Sequence, residues 1–87
     1  MESYSLQWRN STRKDIRSLP RQEVARIVVA VAQLASDPVP RGSQKLSGSE
    51  RTYRIRVGDY RVVYEVCPDS HSVEIQRVRH RKDVYRD

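Results

Sequence analysis

Apolar and polar residues alternate from Tyr53 to Val57 and again from Tyr60 to Val66, with only Gly58 and Asp59 between the two runs. Two period-two runs joined this way predict a β-hairpin, and glycine at the first central position suits a type II′ turn. A two-residue turn fixes the register by counting. Val57 faces Tyr60, Ile55 faces Val62 and Tyr53 faces Tyr64. One side of the hairpin is then Tyr53, Ile55, Val57, Tyr60, Val62 and Tyr64, a core-facing set. The other side carries Arg54, Arg56, Arg61, Val63 and Glu65, with Arg56 directly across from Arg61.

The same patterning divides the rest of the chain. Tyr4, Leu6 and Trp8 alternate with Ser3, Ser5 and Gln7, which predicts a half-buried first strand with Trp8 in the core. Asn10 or Ser11 can cap a short helix through Ser18, turning Ile16 and Leu19 inwards and Arg13, Lys14 and Arg17 outwards. Pro20 opens a second helix to about Ser36, whose stripe is Val24, Ile27, Val28, Val31 and Leu34. Asp37 to Gly42 is a loop, after which Leu46 is expected to anchor the approach to the hairpin in the core. Pro68-Asp69-Ser70-His71 turns the chain into a last strand, with Val73 and Ile75 on one face. Alternation fails at Gln76-Arg77-Val78, where Val78 has the opposite parity to Ile75, and this predicts a bulge. Arg81 to Tyr85 forms a single helical turn or an irregular tail, with Val84 against the sheet. The order is strand, helix, helix, strand, strand, strand. It describes one α+β domain over residues 1–87, an antiparallel sheet with both N-terminal helices packed on the face of Tyr53, Ile55 and Val62.

A chain of 87 residues buries only ~60–65% of its unfolded surface, enough for one modest core. Its 17 Lys and Arg against 11 Asp and Glu give a net charge of +6, which directs it towards nucleic acid, an anionic membrane or an acidic protein. No run of ~18 apolar residues and no signal-peptide core is present, so a cytoplasmic location without membrane contact is expected. Cys67 has no partner for an internal disulfide and reads as a small strand-end filler. With His71 and His80 as the only histidines there is no metal framework, and no cofactor is expected. Gly42, Gly48 and Gly58 lack the spacing of a phosphate loop.

Like charges directly opposed on a sheet destabilise it. Arg56 across from Arg61 therefore points to a bound anion, a phosphodiester backbone first among candidates, with a solvated basic face as the other reading. In an antiparallel meander the third strand of the hairpin region returns beside Arg61, bringing Arg79 to Arg81 close. Strands ~4.8 Å apart would hold arginines from all of them within about 10 Å. Paired carboxylates and a Ser-His-Asp set are missing, so ordinary hydrolysis is poorly supported. RNA supplies its own nucleophile. Its 2′-hydroxyl can attack the adjacent phosphate if a protein aligns the backbone and stabilises the added charge. Arginine forks suit that stabilisation, and His80 is the one nearby side chain with an ordinary pKa near neutrality. Tyr85 could stack on a base or tether the C-terminus to the sheet; composition does not separate the two.

Lys45-Leu46, the hairpin from Tyr53 to Tyr64, and Val78-Arg79-His80-Arg81-Lys82-Asp83-Val84-Tyr85 together resemble the RelE branch of the RelE/ParE toxin superfamily, and Leu19-Pro20 opening the second helix fits too. The resemblance implies a RelE-like fold and the toxin of a type II toxin-antitoxin pair. It further implies an mRNA endoribonuclease, metal-independent, that acts in the ribosomal A site through 2′-hydroxyl attack and so inhibits translation. Its partners would be the ribosome, mRNA and a RelB-like antitoxin, with operator DNA reached only through the antitoxin complex. By position, Arg61 resembles the phosphate-binding arginine, Arg81 the arginine that stabilises charge or assists the leaving group, and Tyr85 the base-stacking tyrosine. Arg54 and Arg56 stand where well-known members have lysines. With Lys45 and Arg79 they make the expected RNA contacts, and His80 is the expected base. A ParE-like gyrase inhibitor and a non-catalytic basic RNA-binding module are the alternatives. Arg61, Arg81 and Tyr85 occurring together favours the nuclease.

Overall fold

The computed structural model describes residues 3–84. The chain runs through β1 (Ser5–Trp8), α1 (Asn10–Arg17), α2 (Arg21–Gln33), β2 (Gln44–Lys45), β3 (Thr52–Val57), β4 (Tyr60–Cys67), β5 (Ser72–His80) and α3 (Arg81–Val84). The strands form one sheet in the order β1-β5-β4-β3-β2. β3, β4 and β5 are the expected antiparallel meander, and the hairpin pairs Val57 with Tyr60, Ile55 with Val62 and Tyr53 with Tyr64. Gly58 takes a φ of +61° while Asp59 does not take a positive φ, the combination a type II′ turn requires. The helical turn α3 resolves the choice left open after His80.

Two features differ from a purely antiparallel four-stranded sheet. A two-residue strand, β2, pairs Gln44 with Arg54 and Lys45 with Tyr53. At the other edge β1 lies parallel to β5, pairing Ser5 with Ser72 and Trp8 with Ile75. Parallel neighbours need a long connection, and everything between β1 and β5 supplies one. A first strand of four residues carries no signal of its own direction.

β5 contains the expected bulge. Val63 pairs with Arg77 and Tyr64 with Ile75, which leaves Gln76 as the extra residue. Side chains alternate along a strand, so one inserted residue exchanges faces from that point on. Val73 and Ile75 before the bulge, and Val78 after it, all reach the core. The bulge lies where β1 has ended, and α1 takes over the exposed edge of β5. The Arg9 N–H donates to the Ile75 carbonyl at 2.9 Å, Ser11 Oγ to the Gln76 carbonyl at 2.9 Å, and the Val78 N–H to Asp15 Oδ2 at 2.9 Å. Ser11 is therefore used across the fold. The N-cap position of α1 belongs to Arg9 and has no side-chain capping bond, contrary to the capping role expected for Asn10 or Ser11.

The core joins Ile27, Val31 and Leu34 of α2 to Ile55, Val57, Val62, Tyr64, Val66, Val73, Ile75 and Val78 of the sheet. Pro20 occupies the N-cap of α2, as its lack of an N–H allows. Buried positions 27, 31 and 34 define the helix's inward line, and Val28, about 100° further round, is 46% exposed instead of buried. Trp8 is also exposed, at 36%, because β1 is an edge strand and its last residue is flanked on one side only. Leu46 is not part of the core. It shares the parity of Gln44 and lies on the far face of the sheet, described below.

Tyr64 is fully buried at the centre of β4, stacks on Tyr53 at 6.0 Å between ring centroids, and donates from its hydroxyl to the Pro38 carbonyl at 2.8 Å. It thereby ties the loop after α2 to the sheet. Burial pushes its phenol up from 10.0 to about 12, since the charged form loses its hydration there. Tyr64→Phe should lower the unfolding free energy by about 1 kcal/mol at neutral pH through loss of the bond to Pro38. The phenol's contribution is complete below pH 10 and declines as pH rises towards about 12, because only the folded state still holds the proton there. Urea unfolding at stepped pH should show the gap between wild type and variant narrowing in that window.

Candidate nucleic-acid interface

The sheet face away from the helices is a grid set by strand register. One row runs Arg54, Val63, Arg77 across β3, β4 and β5, and the next runs Arg56, Arg61, Arg79. Five of the six positions are arginine. A third row, Thr52, Glu65, Glu74, closes the basic field on one side. There the Gln76 amide donates to Glu65 at 3.5 Å and to Glu74 at 3.3 Å, and Arg9 pairs with Glu74 at 2.9 Å. Neighbouring strands are ~4.8 Å apart, so the three arginines of the second row lie within about 10 Å at their Cα atoms.

Uncharged or remote groups hold several of these guanidiniums in place. Gln44 Oε1 accepts from Arg54 Nε at 3.1 Å and Nη2 at 2.7 Å. Arg56 Nε donates to the Gly58 carbonyl at 3.2 Å. Arg77 reaches round the edge of β5 to α1, where its Nη2 donates to Asp15 Oδ1 at 3.3 Å. The carboxylate of Asp15 thus serves the backbone of Val78 through one oxygen and Arg77 through the other. Two hollows open on this face. One, about 170 Å³, is lined by Gly42, Gln44, Arg54, Ile55, Arg56 and Arg61. The other, about 510 Å³, is lined by Leu46, Ser47, Arg54, Arg61, Val63, Arg77 and Arg79. Arg54 and Arg61 border both. The arrangement presents forked donors to a polyanion from a rigid sheet, the geometry in which arginine grips phosphate oxygens.

Among the site residues expected from sequence, Arg54, Arg56, Arg61 and Arg79 share this face. Arg79, directly opposite Arg61, is the closer neighbour in the register. Arg81 lies beyond the strand, exposed at the start of α3, with its N–H donating to the Asp59 carbonyl at 2.8 Å, and so belongs to the hairpin-turn end of the sheet. Lys45 pairs with Tyr53, which places it on the helix side of β2. His80 pairs with Tyr60, whose ring it meets edge-on at 5.2 Å, and its Nδ1 accepts from the Lys82 N–H at 3.2 Å. It lines a third hollow, about 200 Å³, with Asp15, Ser18, Leu19, Tyr60, Arg77, Val78 and Arg79. The pleat sets the His80 side chain on the Tyr60 side of β5, while the hollow it lines is shared with Arg77 and Arg79. Tyr85 and the Val84 side chain lie outside the described residues.

Two participants were not anticipated. Gln44 sits in what reads as a loop, and only its pairing with Arg54 reveals it. Arg77 falls inside the stretch where alternation breaks; carrying the parity through the bulge would have placed it with Arg79.

The family described as ParE toxin of type II toxin-antitoxin system, parDE, matches residues 6–85, and the chain belongs to it. Within that superfamily the likeness is to the RelE branch. Toxin RelG of Mycobacterium tuberculosis is 31% identical over 84 residues, covering 95% of this chain and 97% of its own. The archaeal RelE-RelB complex from Pyrococcus horikoshii contains a chain of TM-score 0.81 and 31% identity, with 91% of this chain and 96% of that one covered. The RelBE2 toxin-antitoxin complex from Mycobacterium tuberculosis gives 0.80 and 28%, covering 90% and 98%. The chain is a type II toxin of RelE type.

Asp15 is the joint on which the edge of the grid depends. Asp15→Ala removes the acceptor from Val78 and should destabilise the fold by about 1–3 kcal/mol, whereas Asp15→Asn, which keeps an acceptor oxygen, should lose less. Urea midpoints with an unchanged slope would register this as a change in stability alone.

Proposed function

We propose that this toxin is an endoribonuclease that cuts mRNA in the ribosomal A site and thereby stops translation. The observation that carries the reading is the opposed pair Arg61 and Arg79 in the second row of the arginine grid. In the reaction the 2′-oxygen forms a bond to the adjacent phosphorus and the P–O5′ bond breaks. The products are a 2′,3′-cyclic phosphate and a 5′-hydroxyl; the 2′-hydroxyl gives up its proton and the departing 5′-oxygen gains one. Arg61 grips the phosphate that is cut, and Arg79 stabilises the charge that builds on it. Arg54, Arg56 and Arg77 hold the neighbouring backbone. Catalysis then rests on in-line alignment and charge stabilisation by side chains already fixed in place.

Arg81, at the turn end, is assigned to the leaving-group side, and Tyr85 to stacking on a base. His80, on the opposite face, is given no proton-transfer role. The relatives solved as RelE-RelB complexes support a RelB-like antitoxin as partner. An acidic segment of it laid across the grid would neutralise the arginines and block the message. Operator DNA is reached through that antitoxin.

Programmed ribosomes incubated with the toxin, followed by mapping of mRNA ends, test the reading. Wild type should cut within the A-site codon, and Arg79→Ala should lose about 10²–10³-fold in rate. Intact message with trapped gyrase-DNA complexes would instead select a ParE-like gyrase inhibitor. Arg61→Lys keeps the charge but not the fork, so it should slow cleavage more than it weakens ribosome binding. Equal losses would remove Arg61 from the reacting phosphate.

A further inference from the structure

We propose that Val63 and Leu46 form the floor of a seat for one nucleobase of single-stranded RNA, flanked by phosphates held on the surrounding arginines; this rests on the RNA-cleaving reading above. Val63 is the one uncharged position in the two basic rows, and it stands between Arg54 and Arg77. It lines the hollow of about 510 Å³ together with Leu46, a size within the range of ligand sites (about 300–1,000 Å³). A track for phosphates alone needs no apolar floor. An apolar floor ringed by guanidiniums fits a group with flat apolar faces and a charged linker on each side, and a nucleotide within a strand is such a group.

The two arginines beside Val63 are kept from folding down over it. Arg54 is tied outwards to Gln44 and Arg77 to Asp15, so the floor stays open between them. Their planes also offer surfaces on which a base ring can stack. Ser47 is the only uncharged polar residue among those lining the hollow. With so few groups to read a base edge, the seat accepts any base and discriminates against its absence.

Binding of short single-stranded RNAs to the full chain, followed by fluorescence anisotropy at low salt, tests this. One abasic ribose is moved stepwise along the oligonucleotide. At one position, loss of the base should weaken binding to wild type about tenfold. Val63→Ser should abolish that sensitivity while leaving the salt dependence unchanged, because every arginine remains. Leu46→Ser, on the loop side of the hollow, should do the same and does not depend on β4. Equal sensitivity in both variants, or no sensitive position in wild type, would overturn the seat. So would selective loss of binding to an acidic peptide, which would assign the floor to a protein partner. Failure of wild type to cut message on ribosomes, with the base-sensitive position intact, would strike the nuclease reading and leave the seat standing.

Discussion

A single inserted residue in β5 determines which side of the sheet every later side chain occupies. Were Gln76 kept in the ladder with no bulge, the parity of Val73 and Ile75 would carry Arg77 and Arg79 into the core and Val78 out of it. Burying two guanidiniums without partners would cost several kcal/mol each, far more than a bulge. With the bulge, the apolar residues on both sides of it reach the core, and the arginines join Arg54, Arg56 and Arg61. The bulge in turn is held by α1, which supplies Ser11 to the carbonyl of Gln76 and Asp15 to the N–H of Val78. Edge backbone left without a strand partner is thus satisfied by a helix, and the first helix becomes a support for the site on the opposite face.

The grid gathers like charges and is destabilising as a structure. Three features offset this. The helix-facing side of the same strands is almost wholly buried hydrocarbon. Gln44, the Gly58 carbonyl and Asp15 each accept hydrogen bonds from an arginine, which lowers its freedom without neutralising the field as a whole. The bulge also sharpens strand twist, which separates side chains that a flat sheet would hold in line. An array set this way loses little further entropy when a polyanion arrives.

Much of this was legible in the amino-acid sequence because it depends on counting. The two-residue turn at Gly58-Asp59 dictated the hairpin register, and Val78 out of step with Ile75 announced the bulge. Residues whose fate depends on neighbours distant in sequence were not legible. Val28 fits a helical stripe as well as Ile27 does, and only the placement of α2 on the sheet leaves it exposed. Trp8 alternates correctly yet sits at the end of an edge strand. Leu46 reads as a core anchor because β2 is too short to show a period, and pairing with β3 alone sets Lys45 beside Tyr53 and Leu46 on the other face. His80 directly precedes Arg81 in sequence, but the strand's pleat sets it on the Tyr60 side of β5.

The acidic third row, Glu65 and Glu74, borders the arginines at a spacing comparable to the range over which charges act in physiological salt, ~8 Å. Attraction on one side of this line weakens on the other within a residue or two, where Glu65 stands and Glu74 is paired with Arg9. On the reading proposed above, a flexible polyanion settling on the sheet would be turned back at that border and would leave by the opposite end, over the turn at Gly58. The sheet would then offer such a chain one closed margin and one open one, and Arg81 and the start of α3 stand at the open margin.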